Sequence, residues 1–240
     1  MQTKVIISYD GTENDKDALA LGRLFGDAGA QVALAYVRHS QELDPRREAD
    51  VNAEAEAILE RGAEWLGHPE VGRHVVFAGS TGVGLRELAE REEADLVVFG
   101  SDAHTTPGHV QPGRSASRLI AGGPVAVAIA AARLRDRSDA RLDPVALAGG
   151  EVDPAARRTA EAFAEYTDTS LALPSQQGVN LLVVGSRPGA PEGRVGLSSA
   201  AEYLVETATS SVIVVPRGVA FSIESGAERV NGSQSVDQEA

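Results

Sequence analysis

The chain of 240 residues contains no cysteine, which excludes disulfide bonds, thiol catalysis and cysteine-ligated metals. It has no long basic tract, and its formal net charge is −13, so nucleic acid and anionic membrane are unfavourable partners. Its longest apolar run, residues 124–132, is too short to cross a bilayer. The chain enters a strand pattern at once and shows no signal peptide. We therefore expect a soluble, cytoplasmic protein.

Aromatic residues are also scarce, at 4% of the chain, whereas 42% of the residues are hydrophobic and mostly Ala, Val or Leu. This composition is typical of parallel strands covered by helices with small side chains. Short apolar runs alternate with helical spacing, which indicates a parallel sheet with right-handed crossovers. The predicted strands of the first half are residues 4–9, 31–37, 72–78, 95–99 and 125–130.

One stretch of sequence occurs twice. Residues 100–133 and 185–218 align without a gap at an offset of 85 (185 minus 100). Each copy contains a glycine-rich loop and a short helix between two apolar strands. Such a loop suits a phosphate, because glycine lets backbone N–H groups approach it and the following helix presents its positive end. The residues that recur are Gly100, Ser101, Gly108, Val110 and Leu119, as Gly185, Ser186, Gly193, Val195 and Leu204.

The second copy belongs to a shortened unit. Residues 145–148, 154–166 and 170–173 match the first strand, first helix and second strand, but at an offset of 138 (163 minus 25). The change in offset means that 53 residues, about 41–93 of the first unit, have no counterpart. The predicted organisation is a full domain, a charged solvated linker, a truncated domain and a disordered acidic tail. Their bounds are residues 1–132, 133–142, 143–218 and 219–240.

These motifs resemble those of the universal stress protein family. ATP-binding members of that family carry an Asp at the end of the first strand and a loop of the form G-x2-G-x9-G-[ST] after the fourth. The resemblance implies a Rossmann-like α/β fold, of the adenine nucleotide alpha hydrolase-like type, with sheet order 3-2-1-4-5. It also implies that the truncated unit forms a pseudo-dimer with the first through the final strands, residues 125–130 and 212–215. The alternative is that each of these strands is an edge of its own sheet.

The resemblance also assigns nucleotide-contacting positions. Ala103 stands where the family has the second glycine, and its methyl group occupies space that a phosphate would approach. Arg114 replaces the Ser or Thr but supplies a strong phosphate donor, while Ser115 offers a substitute hydroxyl. In the second unit, Ala148 and Pro188 replace the Asp and the second glycine, which argues against nucleotide there. The assigned residues are Asp10, Gly11, Val37, Gly100, Ala103, Gly113, Arg114 and Ser115.

Each assignment has a structural alternative. Asp10 would equally serve as a turn residue that caps the first helix. The long loop could be a plain crossover, and Arg114 a solvated charge. His104 and His109 could steady phosphates or hold a metal with Asp102, but exposed loop histidines are the simpler interpretation, and we predict no metal site.

Three classes of function remain. The leading hypothesis is a stress-response module that binds ATP or a related adenine nucleotide, accompanied by Mg²⁺, and switches its contacts with an unknown protein partner. Further homo-oligomerisation is compatible with it. The alternative is a nucleotide-free interaction scaffold. No nucleophile, base and orienting group stand at recognisable spacing, so an enzyme is disfavoured beyond slow ATP hydrolysis. A nucleotidyl transferase would show histidines after the first strand, where this chain reads Tyr-Asp-Gly-Thr-Glu-Asn.

Overall fold

Alternating strands and helices fill the first unit. The computed structural model describes residues 2–148 and 153–223. Its elements in the first unit are β1 (Lys4–Ser8), α1 (Asp15–Asp27), β2 (Gln31–Arg38), α2 (Pro45–Leu66), β3 (Gly72–Phe77), α3 (Thr81–Glu92), β4 (Leu96–Phe99), α4 (Arg114–Ile120) and β5 (Ala126–Ile129). After a 3-10 helix (Leu134–Asp136) come β6 (Val145–Ala148), α5 (Pro154–Tyr166), β7 (Leu181–Gly185), α6 (Ser199–Glu206) and β8 (Ser211–Val215).

The eight strands form one sheet of order β3-β2-β1-β4-β5-β8-β7-β6. The predicted order 3-2-1-4-5 is confirmed for the first unit, in which every neighbouring pair is parallel. β6, β7 and β8 repeat the connections of β1, β4 and β5, and β8 pairs with β5 in antiparallel orientation, with Ala128 opposite Ile213. The described residues of both units therefore share one sheet.

Helices cover both faces of this sheet. α1, α2 and α5 pack on one face, and α3, α4 and α6 pack on the other. Neighbouring residues of β5, such as Val127 and Ala128, face opposite layers and are both fully buried. This two-sided burial is why the strands are continuous apolar runs in the sequence. Phe25 of α1 and Phe163 of α5 join the two units on one face, with ring centroids 5.8 Å apart.

The predicted second strand of the truncated unit, residues 170–173, is wrong as an element. Only Ala172 pairs there, through an isolated bridge to Ala146, and Leu173 is 71% exposed. The 53 residues missing from the second unit include the counterparts of α2 and α3, which pack against β2 from opposite faces of the sheet. A strand without these helices buries too little apolar surface to be held in the sheet.

The prediction of a solvated linker at residues 133–142 is wrong at its two ends, although residues 136–139 are exposed. The segment begins with the 3-10 helix, and both Leu134 and Leu142 are buried. Arg135 is only 11% exposed and its Nη1 lies 2.8 Å from Oδ2 of Asp17, a carboxylate that is 2% exposed. The sequence of the linker did not reveal this contact, because the partner of Arg135 lies on another helix and leaves no pattern in residues 133–142.

The predicted disordered tail also begins too early. Phe221 and Ile223 are buried, and the Phe221 ring meets Phe163 edge-on at 6.0 Å. The hydroxyl of Thr3 donates to the carbonyl of Ser222 at 2.5 Å. Phe221 and Ile223 therefore pack on the helical layer, whereas the rest of the predicted tail, residues 224–240, lies outside the described residues. Within the described residues, no helix combines the length and the apolar character needed to cross a membrane.

Candidate functional site

The candidate site lies at the point of the sheet where the order of the strands reverses. The chain passes from β1 outward to β2 and β3 and then returns to the other side of β1 as β4. In open α/β sheets, ligands bind in the crevice at the carboxyl ends of the strands at this switch point. Asp10 and Gly11 follow β1 there, and Gly100 follows β4. The fold thus brings these predicted residues to one edge of the sheet.

Asp10 performs the turn role and is also accessible. Its Oδ1 accepts a hydrogen bond from the Thr12 backbone N–H at 2.9 Å, and its side chain is exposed. Gly11 has φ +88°, a left-handed conformation that side chains disfavour, so glycine is required for this turn. α1 begins at Asp15 rather than at Thr12, the predicted cap. The Asp10 carboxylate also interacts with the Asp15 carboxyl group, and its exposure is compatible with both hypotheses for Asp10.

A second carboxyl group lies beneath Asp10. Oδ2 of Asp15 accepts a hydrogen bond from the Asp10 backbone N–H at 2.8 Å. Burial raises the pKa of Asp15 well above its ordinary value, and the neighbouring charge of Asp10 raises it further. A carboxyl group that retains its proton more readily weakens the negative field at this edge. Asp15 therefore repels an anionic ligand less than an ordinary aspartate would.

Two predicted residues have packing roles. A Cβ on Gly100 would collide with the backbone carbonyl of Asn14, so glycine lets the start of α1 lie directly on the end of β4. Val37 is 8% exposed and packs on α3, where a Cβ on Gly84 would come within 2.9 Å of Val37 Cγ1. Packing alone therefore explains why these positions hold glycine and valine.

The long loop after β4 turns away from Asp10 toward the end of β5. Ala103 lies in an exposed turn, in which the Thr105 N–H donates to the Asp102 carbonyl at 3.0 Å. Gly108 has φ +83°, and its backbone N–H donates to the Ala132 carbonyl at 2.8 Å. His104 is exposed beside Asp102, and within the described part of the chain no group of three acidic or histidine side chains is placed to hold a metal.

The second loop has the same hydrogen bonds although it lacks two of the three glycines. Ser101 Oγ donates to the Ala130 carbonyl at 2.7 Å, and Ser186 Oγ donates to the Val215 carbonyl at 2.8 Å. Both serines are 1% exposed, and each accepts the backbone N–H ten residues further on. The recurrent serine was noted in the repeat, but its role as the loop's anchor was missed. The serine and its partners therefore explain the loop shape in both units.

The two loops also exchange hydrogen bonds between units. The Val110 N–H donates to the Ala208 carbonyl at 3.1 Å, and the Val195 N–H donates to the Gly123 carbonyl at 2.9 Å. Residues 195 and 208 are the offset-85 counterparts of 110 and 123, so the contact is reciprocal. Such self-complementary contacts are characteristic of a two-fold interface.

The first turn of α4 carries the remaining predicted residues. Gly113 precedes the helix without a side-chain cap, and a Cβ there would meet nothing within 4 Å. At the equivalent position before α6, Ser198 Oγ accepts the Ala201 N–H at 3.3 Å. Arg114 is exposed and has no ion-pair partner among the residues that the structure describes. Ser115 is half-buried, and its carbonyl faces Gly82 of α3.

A partly buried ion pair borders the site and was missed by the sequence analysis. Both guanidinium Nη atoms of Arg38, at the end of β2, bond to the two carboxylate oxygens of Glu48 at 2.7 and 2.9 Å. The hydrogen bonds from Arg38 and from the Glu42 N–H lower the pKa of Glu48 to about 2. This pair ties the start of α2 to the sheet beside Val37.

Comparison with known proteins identifies the family. A family model described as the universal stress protein family matches residues 1–131. The chain belongs to the universal stress protein family. A comparison with curated proteins found no match.

Solved structures agree with this universal stress protein fold. A universal stress protein from Archaeoglobus fulgidus DSM 4304 is similar, with TM-score 0.67, 15% identity and coverage of 90% of this chain and 98% of that chain. A functionally unknown protein from Pseudomonas aeruginosa PAO1 has TM-score 0.57, 13% identity and coverage of 90% and 93%. A universal stress protein in complex with cAMP is 23% identical over 42% of this chain and 77% of that chain, with TM-score 0.36, which is too low to support an argument.

In this universal stress protein, the predicted residues divide into two groups. Asp10, Gly11 and Gly100 meet around the start of α1, and the bridge between Ser101 and Pro112 brings Gly113 next to that group. Ala103, by contrast, lies in the turn that leads toward β5. Phosphate contact at Ala103 therefore has no structural support beyond its position in the motif.

Proposed function

We propose that this universal stress protein binds an adenine nucleotide at the carboxyl ends of β1 and β4 and uses it to change its contacts with a protein partner during stress. The observation that best supports this proposal is the exposed Asp10 carboxylate at the topological switch point. An accessible carboxylate in this crevice suits the hydroxyl groups of a ribose.

The chemistry of the surrounding residues fits the two ends of a nucleotide. Asp10 would accept hydrogen bonds from the ribose, and the chain beside Val37 would border the base. Arg114 and the uncapped N–H groups before α4 would meet phosphate, because both are donors without a partner among the described residues. Asp10 would repel a triphosphate, and Mg²⁺ would offset that repulsion when bound with ATP. Gly113 leaves the room that this placement requires.

In this proposal the truncated unit acts as a built-in dimer partner. The antiparallel β5–β8 pairing and the reciprocal Val110 and Val195 hydrogen bonds support that role. Association into larger homo-oligomers and action in the cytoplasm are part of the same proposal.

A nucleotide-free scaffold is the second candidate, and a different observation favours it. The start of α1 fills the space beside Gly100, and the loop that would cradle phosphates is instead bonded to the end of β5 and to the second unit. A loop committed to an interface in this way serves protein contacts without any ligand.

Calorimetric titration with ATP, ADP and AMP, with and without Mg²⁺, separates the two candidates. We expect one site per chain, lost in Asp10→Ala and weakened about 10–100-fold in Arg114→Ala, since a charge-assisted hydrogen bond contributes about 1.5–3 kcal/mol. Asp50→Ala, which removes an exposed carboxylate from α2, is the matched control and should bind normally.

Gly113→Ser provides an independent test. It copies Ser198 of the second unit, so its hydroxyl should cap α4 and compete with phosphate for the same N–H groups. The variant should bind nucleotide more weakly while remaining as stable as the native chain. No binding of any adenine nucleotide at millimolar concentration would reject the proposal in favour of the scaffold.

A further inference from the structure

Two carboxyl groups meet at the switch point between β1 and β4. The Asp10 carboxylate is exposed, and the Asp10 backbone N–H donates to Oδ2 of Asp15 at 2.8 Å. Asp15 lies against the end of β4, because a Cβ added to Gly100 would come within 3.5 Å of the Asp15 Cα. The carboxyl groups of Asp10 and Asp15 also interact with each other. Asp15 therefore belongs to the crevice in which we place the nucleotide.

Two cations on the elements around this pair already have carboxylate partners. Lys16 Nζ lies 2.5 Å from Oε1 of Glu13, and Arg135 Nη1 lies 2.8 Å from Oδ2 of Asp17. Glu13 is exposed, whereas Asp17 is buried. These ion pairs leave little positive charge from α1 and the 3-10 helix to offset a second negative charge at the site.

The other charged and titratable groups that face the pair come from β1, α1 and α2. Tyr9, which follows β1, interacts with Asp10, Asp15 and Arg61 of α2. The charged groups that act most strongly on Asp15 are Asp10 and Asp17, which are both acidic. Burial and these two charges raise the pKa of Asp15. Interacting carboxyl groups lose their protons in two separate steps, because the first negative charge opposes the second.

We propose that Asp10 and Asp15 share one proton and that this proton strengthens the binding of a nucleotide phosphate at the site. The inference rests on the proposed nucleotide function. A carboxylate has about four acceptor positions, so Asp10 can accept from the Thr12 N–H, from a protonated Asp15 and from a ribose hydroxyl together. With the proton in place, the pair contributes one negative charge to the crevice instead of two.

The shared proton makes the affinity of the site depend on pH. As pH rises, the pair loses this proton and gains a second negative charge beside the nucleotide phosphate. Like charges repel more strongly as the distance between them falls, so the affinity for a phosphate-bearing ligand should decrease. Adenosine, which has no phosphate, should lose much less affinity over the same range of pH.

Calorimetric titration of the full chain with AMP, without Mg²⁺, at pH 5 and pH 9 tests the coupling. In Asp15→Asn the amide is neutral at every pH, accepts from the Asp10 N–H and donates to the Asp10 carboxylate. The variant should bind AMP as the native chain does at pH 5 and at least about threefold more tightly at pH 9, because native Asp15 is then charged. The phosphate of AMP titrates at about pH 6, but equally for both proteins.

A matched control and a second measurement separate the possible outcomes. Asp27→Asn makes the same change at the exposed far end of α1 and should follow the native chain at both pH values. In carbon-13 NMR of the chain without nucleotide, the Asp15 carboxyl group should titrate at higher pH than that of Asp27, and Asp10→Asn should lower the pKa of Asp15.

Three results would overturn the proposal. An equal ratio of native and Asp15→Asn affinities at the two pH values would overturn the coupling and leave the nucleotide function in place. So would an Asp15 titration that Asp10→Asn does not change. The absence of AMP binding at both pH values, together with no binding of adenosine, would reject the nucleotide function and this inference with it.

Discussion

The carboxylate of Asp17 holds the linker against α1, and its removal should destabilise the protein strongly. Asp17 is 2% exposed and accepts hydrogen bonds from the Arg133 N–H (2.9 Å), the Arg135 N–H (3.0 Å) and the Arg135 guanidinium (2.8 Å). Arg133 itself has φ +68°, a left-handed conformation that this bond helps to maintain. Asp17→Ala would leave the Arg135 guanidinium and two backbone donors without their acceptor.

Breaking a buried ion pair from one side typically costs about 3–5 kcal/mol. Arg135 keeps more distant carboxylates, with its Nε 3.9 Å from Glu13 and 3.8 Å from Asp136, so we expect the lower end of that range. A loss of about 3 kcal/mol corresponds to a fall in Tm of about 6–12 °C for a chain of this size.

Urea unfolding followed by far-UV circular dichroism and by the fluorescence of Trp65, the single tryptophan, measures this loss. Coincidence of the two transitions is needed before a free energy is derived from them. Asp50→Ala, on the exposed side of α2, is the control and should change stability by less than about 0.5 kcal/mol. The double variant Asp17→Leu/Arg135→Met should recover most of the loss, because it leaves no unpaired buried charge. A loss below about 1 kcal/mol in Asp17→Ala would refute this account of the linker.

Three further predictions concern groups around the site. Asp15→Asn should stabilise the protein at pH 7 more than at pH 4: the raised pKa of Asp15 means that its stabilising contribution is present below the ordinary carboxyl pKa and is lost as pH rises. Equal effects at both pH values, measured by urea unfolding, would contradict this. Glu48→Gln should show the opposite pH dependence. The stabilisation of the fold by Glu48 is present above the ordinary carboxyl pKa of 4.5 and is lost as pH falls toward about 2. The free energy of unfolding of the variant should therefore vary less than that of the native protein between pH 5 and pH 2. Ser101→Ala leaves the Ala130 carbonyl and the Gln111 N–H without their partner and should cost about 1–3 kcal/mol, as should Ser186→Ala in the second loop. A change no larger than that of an exposed Ser117→Ala control would show that the serines do not anchor the loops.

The strands followed from the sequence because their cause is local, whereas their order followed from the resemblance to the universal stress protein family. A strand buried on both faces must be apolar at consecutive positions, and Val145–Ala148 and Pro154–Tyr166 were predicted with the bounds that the structure has. The internal repeat likewise revealed two related loops, since equivalent positions keep equivalent residues. The family motif then assigned Asp10, Gly100 and Gly113 as nucleotide-contacting positions.

Only the tertiary structure decided what several of these residues do. Gly100 is glycine because Asn14 lies on it, and Arg135 is buried because α1 presents Asp17, so each role depends on a partner 86 or 118 positions away (100 minus 14, 135 minus 17). Residues 170–173 have strand-forming composition but lack counterparts of the helices that cover β2 in the first unit. Phe221 is buried because it packs against Phe163. Local pattern therefore determined which segments form strands and helices, whereas contacts between distant segments determined which charges and glycines are structural and which remain available to a ligand.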